Sequence, residues 1–297
     1  MGSTRSAIPS IPPRWVVDSS DPRSPPVAIW DELTDAERRH IDASLPSEFE
    51  AVGEFAPEGD FHSVPVLEAR TTLERWFGGP GGTGRTYIGS DLPVYYPNER
   101  MFSPDLIVVR EVSPHRRERW HVLHEGKGLD FVLEATLHGN REKDLRRNVG
   151  RYADLGIPEY FVLDLVARRL LGYRLGASGR YEALVPQAGR LYSEALGLEL
   201  SLEDTSLRFW VRGNPVLSPT ESERTLAVAL DRLNATLQEA AREAEEQALR
   251  AEQEQRRAEQ EQRRTEEERQ ARERAELQLE VLRRRLLAAG LDPDVEQ

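Results

Sequence analysis

The composition of the C-terminal quarter of the chain places the strongest limit on the fold. The seven residues Arg250–Arg256 recur unchanged as Arg257–Arg263, and the surrounding sequence consists largely of Glu, Gln, Arg and Ala. So few apolar side chains cannot form a globular core. A folded domain must therefore come from the preceding part of the 297-residue chain. We expect this domain to span residues 27–212, with its core in about residues 50–212.

The tail carries a helical repeat. From Leu226 onward, positions spaced alternately four and three residues apart form a ladder that is leucine-rich at both ends and polar in the middle. This spacing predicts a long polar helix over residues 220–290 that forms a coiled coil, as a homodimer or with another protein. A solitary solvated helix held by Glu–Arg pairs is the alternative. Glu254, Glu261 and Glu268 share one heptad position, so a parallel in-register dimer would bring like charges together.

The charge balance argues against a basic nucleic-acid module. The net charge is -12, and residues 218–297, with 20 acidic and 14 basic side chains, contribute -6 of it. Neither part can hold DNA by bulk electrostatics. Any DNA contact needs a local patch, for which residues 115–119 and 141–151 are the most basic stretches, or a metal ion that offsets carboxylate repulsion.

The flanking regions and the absence of cysteine bear on location and domain limits. The chain has no cysteine, which suits a reducing cytoplasm. It also lacks a run of about eighteen apolar residues, so we expect a cytoplasmic protein without a membrane span. Residues 1–26 are rich in Pro, Ser and Arg and predict a disordered leader. Residues 213–219 are expected to link the domain to the helix.

The order of predicted elements indicates an α/β domain. A capping box at Thr34 and Glu37 predicts a short helix, and a second helix is expected over Ser63–Phe77 with Leu67 on its apolar face. Apolar runs of strand length occupy residues 85–96, 105–110, 129–136, 159–165 and 168–175. A helix over residues 140–155 separates two of these strands. A strand–helix–strand passage in a strand-rich domain indicates a mixed sheet flanked by helices.

Two carboxylates lie in apolar segments, where burying a charged side chain is energetically costly. Asp105 opens an apolar strand, and Glu134 lies inside the apolar run Phe131–Thr136. Phosphodiester hydrolysis needs one or two hard cations, and carboxylates at rigid sheet edges are suitable ligands for them. The alternative is that Glu134 forms an ion pair with Arg147 or Arg151 of the following helix.

Three segments together resemble a known family. Ser103–Val109, Phe131–Thr136 and Lys143–Asp164 have an order and spacing similar to the Uma family of putative restriction endonucleases, which is placed in the PD-(D/E)XK superfamily. A polar tail after the domain is also familiar from that family. The resemblance implies a restriction-endonuclease-like α/β fold, followed here by a long C-terminal helix, and a Mg²⁺- or Mn²⁺-dependent DNA endonuclease.

The resemblance also implies roles for individual residues. Asp105 would bind the metal ion, Glu134 would be the second carboxylate, and the carbonyl of Ala135 would be a third ligand. In such folds a carboxylate on the early helix sometimes joins the metal site. Glu68 is the residue that best matches this position.

The lysine of the superfamily is missing from its usual places. It normally lies two residues after the glutamate, where this chain has Thr136. In the Uma family it is typically displaced onto the next helix, four residues before a tyrosine, and that position is Asn148. The chain has two lysines, Lys127 and Lys143. Lys143 lies about 140° round an α-helix from Asn148 and is expected to face elsewhere unless the helix starts late. Lys127 is expected to lie outside the site.

The histidines give weaker signals. His121 and His124 lie three residues apart without a third ligand nearby in sequence, which favours packing or solvent-exposed histidines over a metal site. His138, four residues after Glu134, could line the cleft as a proton shuttle.

Two classes of function follow, with a third between them. The first is a Mg²⁺-dependent DNA endonuclease in which Asp105 and Glu134 bind metal, with reduced or lost activity because Asn148 occupies the place of the lysine. The alternative is a catalytically silent scaffold that assembles through its coiled coil. A nucleic-acid binder without cleavage activity lies between the two.

Overall fold

The chain divides into two compact units. A computed structural model describes residues 14–47, 59–79, 84–137 and 141–288. The units are Met1–Ser222 and Glu223–Gln297. Within the described ranges, no helix combines the length and apolar character needed to cross a membrane.

The first unit contains five helices, a π-helical turn and twelve strands among its described residues. The helices are α1 (Val27–Glu32), α2 (Asp35–Ser44), α3 (Asp60–Gly78), α4 (Val122–Glu125) and α5 (Asn148–Asp154), the last preceded by the π-turn Lys143–Arg147. The strands are β1 (Thr86–Gly89), β2 (Val94–Tyr95), β3 (Leu106–Arg110), β4 (Trp120–His121), β5 (Phe131–Thr136), β6 (Glu159–Asp164), β7 (Arg169–Leu175), β8 (Tyr181–Ala183), β9 (Leu191–Ser193), β10 (Leu198–Glu203), β11 (Ser206–Val211) and β12 (Asn214–Pro215).

A six-stranded mixed sheet forms the centre of this unit. Its strand order is β1-β3-β5-β6-β7-β8. The central pair β5–β6 is parallel, and every other neighbouring pair in the sheet is antiparallel. The parallel pair requires a crossover, which the π-turn and α5 supply. The predicted α/β class with a mixed sheet flanked by helices is therefore confirmed, although the run over residues 85–96 forms two separate strands.

Each face of the sheet packs against different elements. One face packs against α3 and the second sheet, with Leu73, Leu133 and Phe209 in a common apolar cluster. The opposite face packs against α5, with Val132 and Tyr152 in the other cluster. Since side chains alternate along a strand, the two faces of β5 belong to two different cores.

Helices α2 and α3 agree with the sequence in most respects. Thr34 and Glu37 form the predicted capping box at the start of α2. Helix α3 begins three residues before the predicted Ser63. Leu67 is 57% exposed, so its assignment to the apolar face was wrong.

The described part of the N-terminal segment packs against the domain. Residues 1–13 lie outside the described residues. Arg23 and Ser24 form β-bridges with Arg100 and Pro97, and Ser24 is fully buried. The expected leader over residues 1–26 is therefore too long, because its last residues contribute to the fold.

The expected linker over residues 213–219 also belongs to the domain. The second sheet has the order β12-β11-β10-β9, and β12 lies within the supposed linker. Val216 packs in the core. Arg208 binds the carboxylate of Glu221 at 2.7 and 2.8 Å in the first turn of the long helix. The domain thus continues to Ser222 without a flexible linker.

The long helix α6 spans Pro219–Ala288, close to the predicted range. From Glu223 onward its described side chains are exposed. Several Glu–Arg pairs at i,i+4 spacing lie along it, for example Glu252–Arg256 and Glu280–Arg284. Such pairs each stabilise a helix by about 0.2–0.5 kcal/mol. These contacts agree with the solitary-helix alternative, and the predicted coiled coil stays a prediction.

Candidate active site

Glu134 lies near the end of β5 and is almost completely buried, at 4% exposure. Its Oε1 accepts hydrogen bonds from the Tyr152 hydroxyl at 2.6 Å and from the Asn148 amide at 3.3 Å. Its Oε2 accepts a hydrogen bond from the backbone N–H of Asp105 at 3.2 Å. These donors are all neutral. Alternation along β5 turns Glu134 towards α5, where Asn148 and Tyr152 are one turn apart on the same side.

Asp105 immediately precedes β3, and its side chain faces Ala135, the residue of β5 that follows Glu134. Its Oδ2 accepts the backbone N–H of Ala135 at 2.6 Å. The same oxygen lies 3.1 Å from Nε2 of His62, a residue in the first turn of α3. Two backbone hydrogen bonds thus hold Asp105 and Glu134 side by side. The Asp105 carboxylate accepts the N–H of Ala135 in β5, and the Glu134 carboxylate accepts the N–H of Asp105 itself.

Asp144, on the π-turn, is the third carboxylate of the cluster and is also buried. Its Oδ1 accepts a hydrogen bond from Asn148 at 3.0 Å. The Asn148 amide therefore bridges Asp144 and Glu134. The backbone carbonyl of Asp144 accepts the Tyr160 hydroxyl at 2.9 Å, which fixes the turn to β6.

The three carboxylates repel one another in a desolvated site. Burial raises the pKa of Glu134 well above its usual value, and the negative charges of Asp105 and Asp144 raise it further. Burial also raises the pKa of Asp144 to about 6, with Lys143 opposing and Asp105 adding to the shift. The cluster holds more negative charge than its neighbours neutralise.

The π-turn changes the expected position of Lys143. The backbone N–H of Asn148 donates to the Lys143 carbonyl, an i+5→i bond instead of the α-helical i+4→i bond. This wider turn brings position 143 closer to the side of position 148 than an α-helix would. Lys143 is half-buried, and its positive charge lowers the pKa of both Glu134 and Asp144. The regular α-helix begins only at Asn148, so the late helix start that would let Lys143 face the site is present, and its role there stays a prediction.

Glu68 does not join this cluster. Its side chain is exposed and accepts a hydrogen bond from Ser206 of β11 at 2.7 Å. The residue of α3 that reaches the carboxylates is His62, which no sequence pattern marks. Six residues separate the two, which places them about 120° apart around the helix. The expected role of Glu68 is corrected accordingly.

The alternative arginine partners of Glu134 lie elsewhere. Arg151 donates to the Arg100 carbonyl at 2.6 Å and lies near the carboxylate of Glu99. Arg147 is exposed. The hypothesis of a Glu134–arginine ion pair is therefore wrong.

The remaining lysine and the histidines have separate environments. Lys127 forms an ion pair with Asp130 at 2.9 Å, outside the carboxylate cluster, as expected. His121 is buried between Ser24 and Asp42, at 2.8 and 3.0 Å, and is therefore a packing histidine that holds the N-terminal segment. His124 is half-exposed. His138 lies outside the described residues.

Asp91 is a further carboxylate that the sequence did not reveal. It lies in the loop between β1 and β2 with a positive φ of 51°, a conformation that a non-glycine residue adopts only under local constraint. Its backbone N–H donates to the Pro104 carbonyl, next to Asp105. Partial desolvation raises its pKa, and the charge of Asp105 adds to this effect. Asp91 therefore adds negative charge at the rim of the site.

The oxygen donors of this site suit a hard divalent cation, but the side chains do not converge on one point as the ligands of a bound metal ion do. Carboxylates and a backbone carbonyl are oxygen donors of the kind that Mg²⁺ and Mn²⁺ bind. Among the described residues, however, no group of three His, Cys, Asp or Glu side chains converges as metal ligands do. The Ala135 carbonyl is a main-chain donor outside such a group, and the Glu134 carboxylate is turned towards Tyr152 and Asn148.

Comparison with known proteins places the chain in a family. A solved structure titled as a putative nuclease belonging to DUF820 from Anabaena variabilis is 14% identical, covering 51% of this chain and 82% of that chain with a TM-score of 0.40. A similarity of that size does not by itself establish a shared fold. No curated protein matches the chain. The sequence model of the Uma2 family, described as putative restriction endonuclease, matches residues 48–208, more than half of the chain. The chain therefore belongs to the Uma2 family of putative restriction endonucleases.

Proposed function

We propose that this chain is a divalent-metal-dependent endonuclease of PD-(D/E)XK type that hydrolyses phosphodiester bonds in DNA. Membership in the Uma2 family supports the nuclease class. The proposed metal dependence rests on the surroundings of Glu134. This residue is buried among neutral hydrogen-bond donors, and its burial and the charges of Asp105 and Asp144 raise its pKa. An ionised buried carboxylate without a cationic partner is costly, so such an acid either takes up a proton, as its raised pKa favours, or binds a cation.

Asp105, Glu134 and the carbonyl of Ala135 would hold the Mg²⁺ or Mn²⁺ ion. When bound, the ion supplies positive charge at the phosphate and balances the negative charge that develops during cleavage. In the absence of the ion, Tyr152 and Asn148 hold the Glu134 carboxylate in place beside Asp105. Asn148 keeps its hydrogen bond to Asp144 and can orient a water molecule without changing its own charge.

Lys143 takes over part of the role of the missing lysine. It is the lysine whose charge reaches both buried carboxylates. A flexible ammonium group can offset charge and hold water in a way that the amide of Asn148 cannot. We therefore expect residual nuclease activity, weaker than that of a site with lysine at position 148. Asn148→Lys should raise the cleavage rate if the rest of the site is intact.

Calorimetric titration of Mg²⁺ and Mn²⁺ tests the proposal, with plasmid cleavage measured in the same buffers. The wild type should bind the ions saturably, and Glu134→Ala and Asp105→Ala should bind at least about tenfold more weakly. Glu68→Gln is the matched control, since Glu68 is an exposed acid of the same domain and should leave binding unchanged. Equal binding by the wild type and Glu134→Ala would contradict the assignment.

The same experiment, together with DNA binding measured at several salt concentrations, separates the three classes of function. Metal binding with cleavage supports the endonuclease. Salt-dependent DNA binding without cleavage would identify a nucleic-acid binder. The absence of metal binding, DNA binding and cleavage would favour the silent scaffold.

We also propose that α6 associates with a second copy of itself. The second unit exposes leucines in heptad spacing, among them Leu226, Leu230, Leu233 and Leu237, each at least 50% exposed. Pairing two helices would bury these side chains, although the polar middle makes the pairing weak. In light scattering the full chain should have twice the mass of a chain in which these leucines are replaced by glutamine. A monomeric wild type would contradict self-association and leave a hetero-partner or a solitary helix.

A further inference from the structure

His62 occupies a position that connects two of the proposed metal-binding atoms. Its side chain is buried, and its Nε2 lies 3.1 Å from Oδ2 of Asp105 and 2.9 Å from the carbonyl oxygen of Ala135. Both oxygens are acceptors. In the metal-free protein Nε2 must therefore carry a proton and donate to one or both of them.

The spacing of these atoms also fits neighbouring ligands of one metal ion. In an octahedral site with ligands at about 2.1–2.2 Å, adjacent ligand atoms lie roughly 3.0 Å apart. The two distances from His62 Nε2 are 3.1 and 2.9 Å. Nε2 therefore has the spacing of an adjacent ligand to each of the two oxygens, Oδ2 of Asp105 and the carbonyl oxygen of Ala135. The proton on Nε2 would move to Nδ1 or to solvent, since only the unprotonated nitrogen coordinates a metal.

The position of His62 is held from several sides. Helix α3 packs on the central sheet through buried residues such as Val66, Ala69 and Leu73. Asp105 is fixed by the N–H of Ala135, and Ala135 belongs to a central strand of the sheet. The three donor atoms therefore come from a helix, a strand and the residue that precedes a strand, all in one packed core. Sites on such elements hold their geometry better than sites on loops.

We propose that His62 is a nitrogen ligand of the metal centre, and that it makes the site prefer Mn²⁺ or a similar transition-metal ion over Mg²⁺. The inference rests on the proposed metal dependence and goes beyond it in naming the class of ion. Magnesium prefers oxygen donors, whereas imidazole favours transition metals. A site of carboxylates and a carbonyl alone would accept both ions, so the imidazole decides the preference.

Two measurements on the full chain test this assignment. In pulsed electron paramagnetic resonance, bound Mn²⁺ should show a hyperfine coupling to ¹⁴N of a histidine in the wild type, a readout that needs no variant. Calorimetry should show Mn²⁺ bound at least about tenfold more tightly than Mg²⁺. In His62→Asn, which offers an oxygen donor of similar size, the coupling should vanish and the two affinities should approach each other. His121→Asn is the control for loss of a buried histidine outside the site and should keep the coupling.

The outcomes distinguish failure of this inference from failure of the proposed function. Saturable Mn²⁺ binding that depends on Glu134 but lacks nitrogen coupling would overturn the role of His62 and leave the metal centre in place. A Mn²⁺ to Mg²⁺ preference unchanged in His62→Asn would do the same. If neither ion binds to the wild type, both the ligand assignment and the proposed metal-dependent function are wrong.

Discussion

Two buried carboxylates on neighbouring parallel strands of the same sheet have opposite surroundings. Glu134 of β5 receives hydrogen bonds from Tyr152, Asn148 and the backbone of Asp105, all neutral donors. Asp164 of β6 is fully buried and binds two arginines, Arg141 and Arg169, at 2.9 and 3.1 Å. Asp164 is thus paired with two arginines, whereas the hydrogen-bond donors to Glu134 are all uncharged.

The pKa values follow from this difference. Burial opposes ionisation at both sites. At Asp164 the hydrogen bonds from Arg141, Ala167 and Arg169 outweigh burial, and the pKa lies below its usual value. At Glu134 burial acts together with two like charges, and the pKa lies well above its usual value. We infer that Asp164 stabilises the fold. The Glu134 cluster, in contrast, lowers the free energy of unfolding in the absence of a bound cation.

Replacing Glu134 should give the largest change in function. Glu134→Gln keeps the shape and a hydrogen-bonding partner for Tyr152 but removes the charge. We expect plasmid cleavage to fall at least about a hundredfold, because the proposed metal centre loses a ligand. In the presence of chelator, the free energy of unfolding should rise by about 1–2 kcal/mol as like-charge repulsion disappears. Denaturant titration and a cleavage assay on the same preparation measure both. A loss of stability in chelator would argue that Glu134 is structural.

Replacing Asp164 should have the opposite signature. Asp164→Asn leaves Arg141 and Arg169 without their shared anion. We expect the free energy of unfolding to fall by about 2–3 kcal/mol. Calorimetry at a temperature where the variant is folded should show unchanged metal affinity. A change in affinity as large as that of the Glu134 variant would remove the distinction between the two acids.

Replacing Lys143 tests how much of the negative charge of the three carboxylates this ammonium group offsets. Lys143→Ala should reduce any plasmid cleavage by about tenfold to a hundredfold, because the site loses its nearby ammonium group. Lys127→Ala is the matched control, since the other lysine pairs with Asp130. Equal cleavage by both variants would exclude Lys143 from the site.

The pH dependence of stability tests Asp144, the third carboxylate of the cluster. The pKa of Asp144 is about 6 in the folded chain and 3.8 in a model peptide. The folded state therefore retains a proton that the unfolded state releases, so this group favours folding at low pH and loses that contribution as the pH rises towards 6 and above. With chelator present, Asp144→Asn should flatten the decline in the free energy of unfolding between about pH 4 and 7. An identical pH profile for the wild type and the variant would contradict this assignment.

Much of the site could be predicted from local sequence, and the rest depends on geometry that sequence does not carry. Apolar strands of the right length predicted the sheet, and the structure brings both Asp105 and Asn148 into contact with Glu134. Their catalytic and metal-binding roles stay predictions. His62 could not be identified, because a single histidine at the start of a helix has no pattern that reveals what it faces across the fold.

Two other features were hidden for different reasons. The π-turn includes an i+5→i hydrogen bond, whereas helical periodicity assumes 3.6 residues per turn. That periodicity alone therefore does not fix the side on which Lys143 lies. The ordered segment around Ser24 was assigned to a leader because its composition resembles a flexible one. Its burial depends on His121, almost a hundred residues away in sequence.

We infer that the Glu134 cluster is incomplete without a divalent cation. Denaturant unfolding of the wild type and of Glu134→Gln, each with chelator and with Mn²⁺, tests it most directly. We predict that Mn²⁺ at about a hundred times its dissociation constant raises the free energy of unfolding of the wild type by about 2.7 kcal/mol, and that of the variant by far less. Equal stabilisation of both proteins, or none of the wild type, would contradict the account.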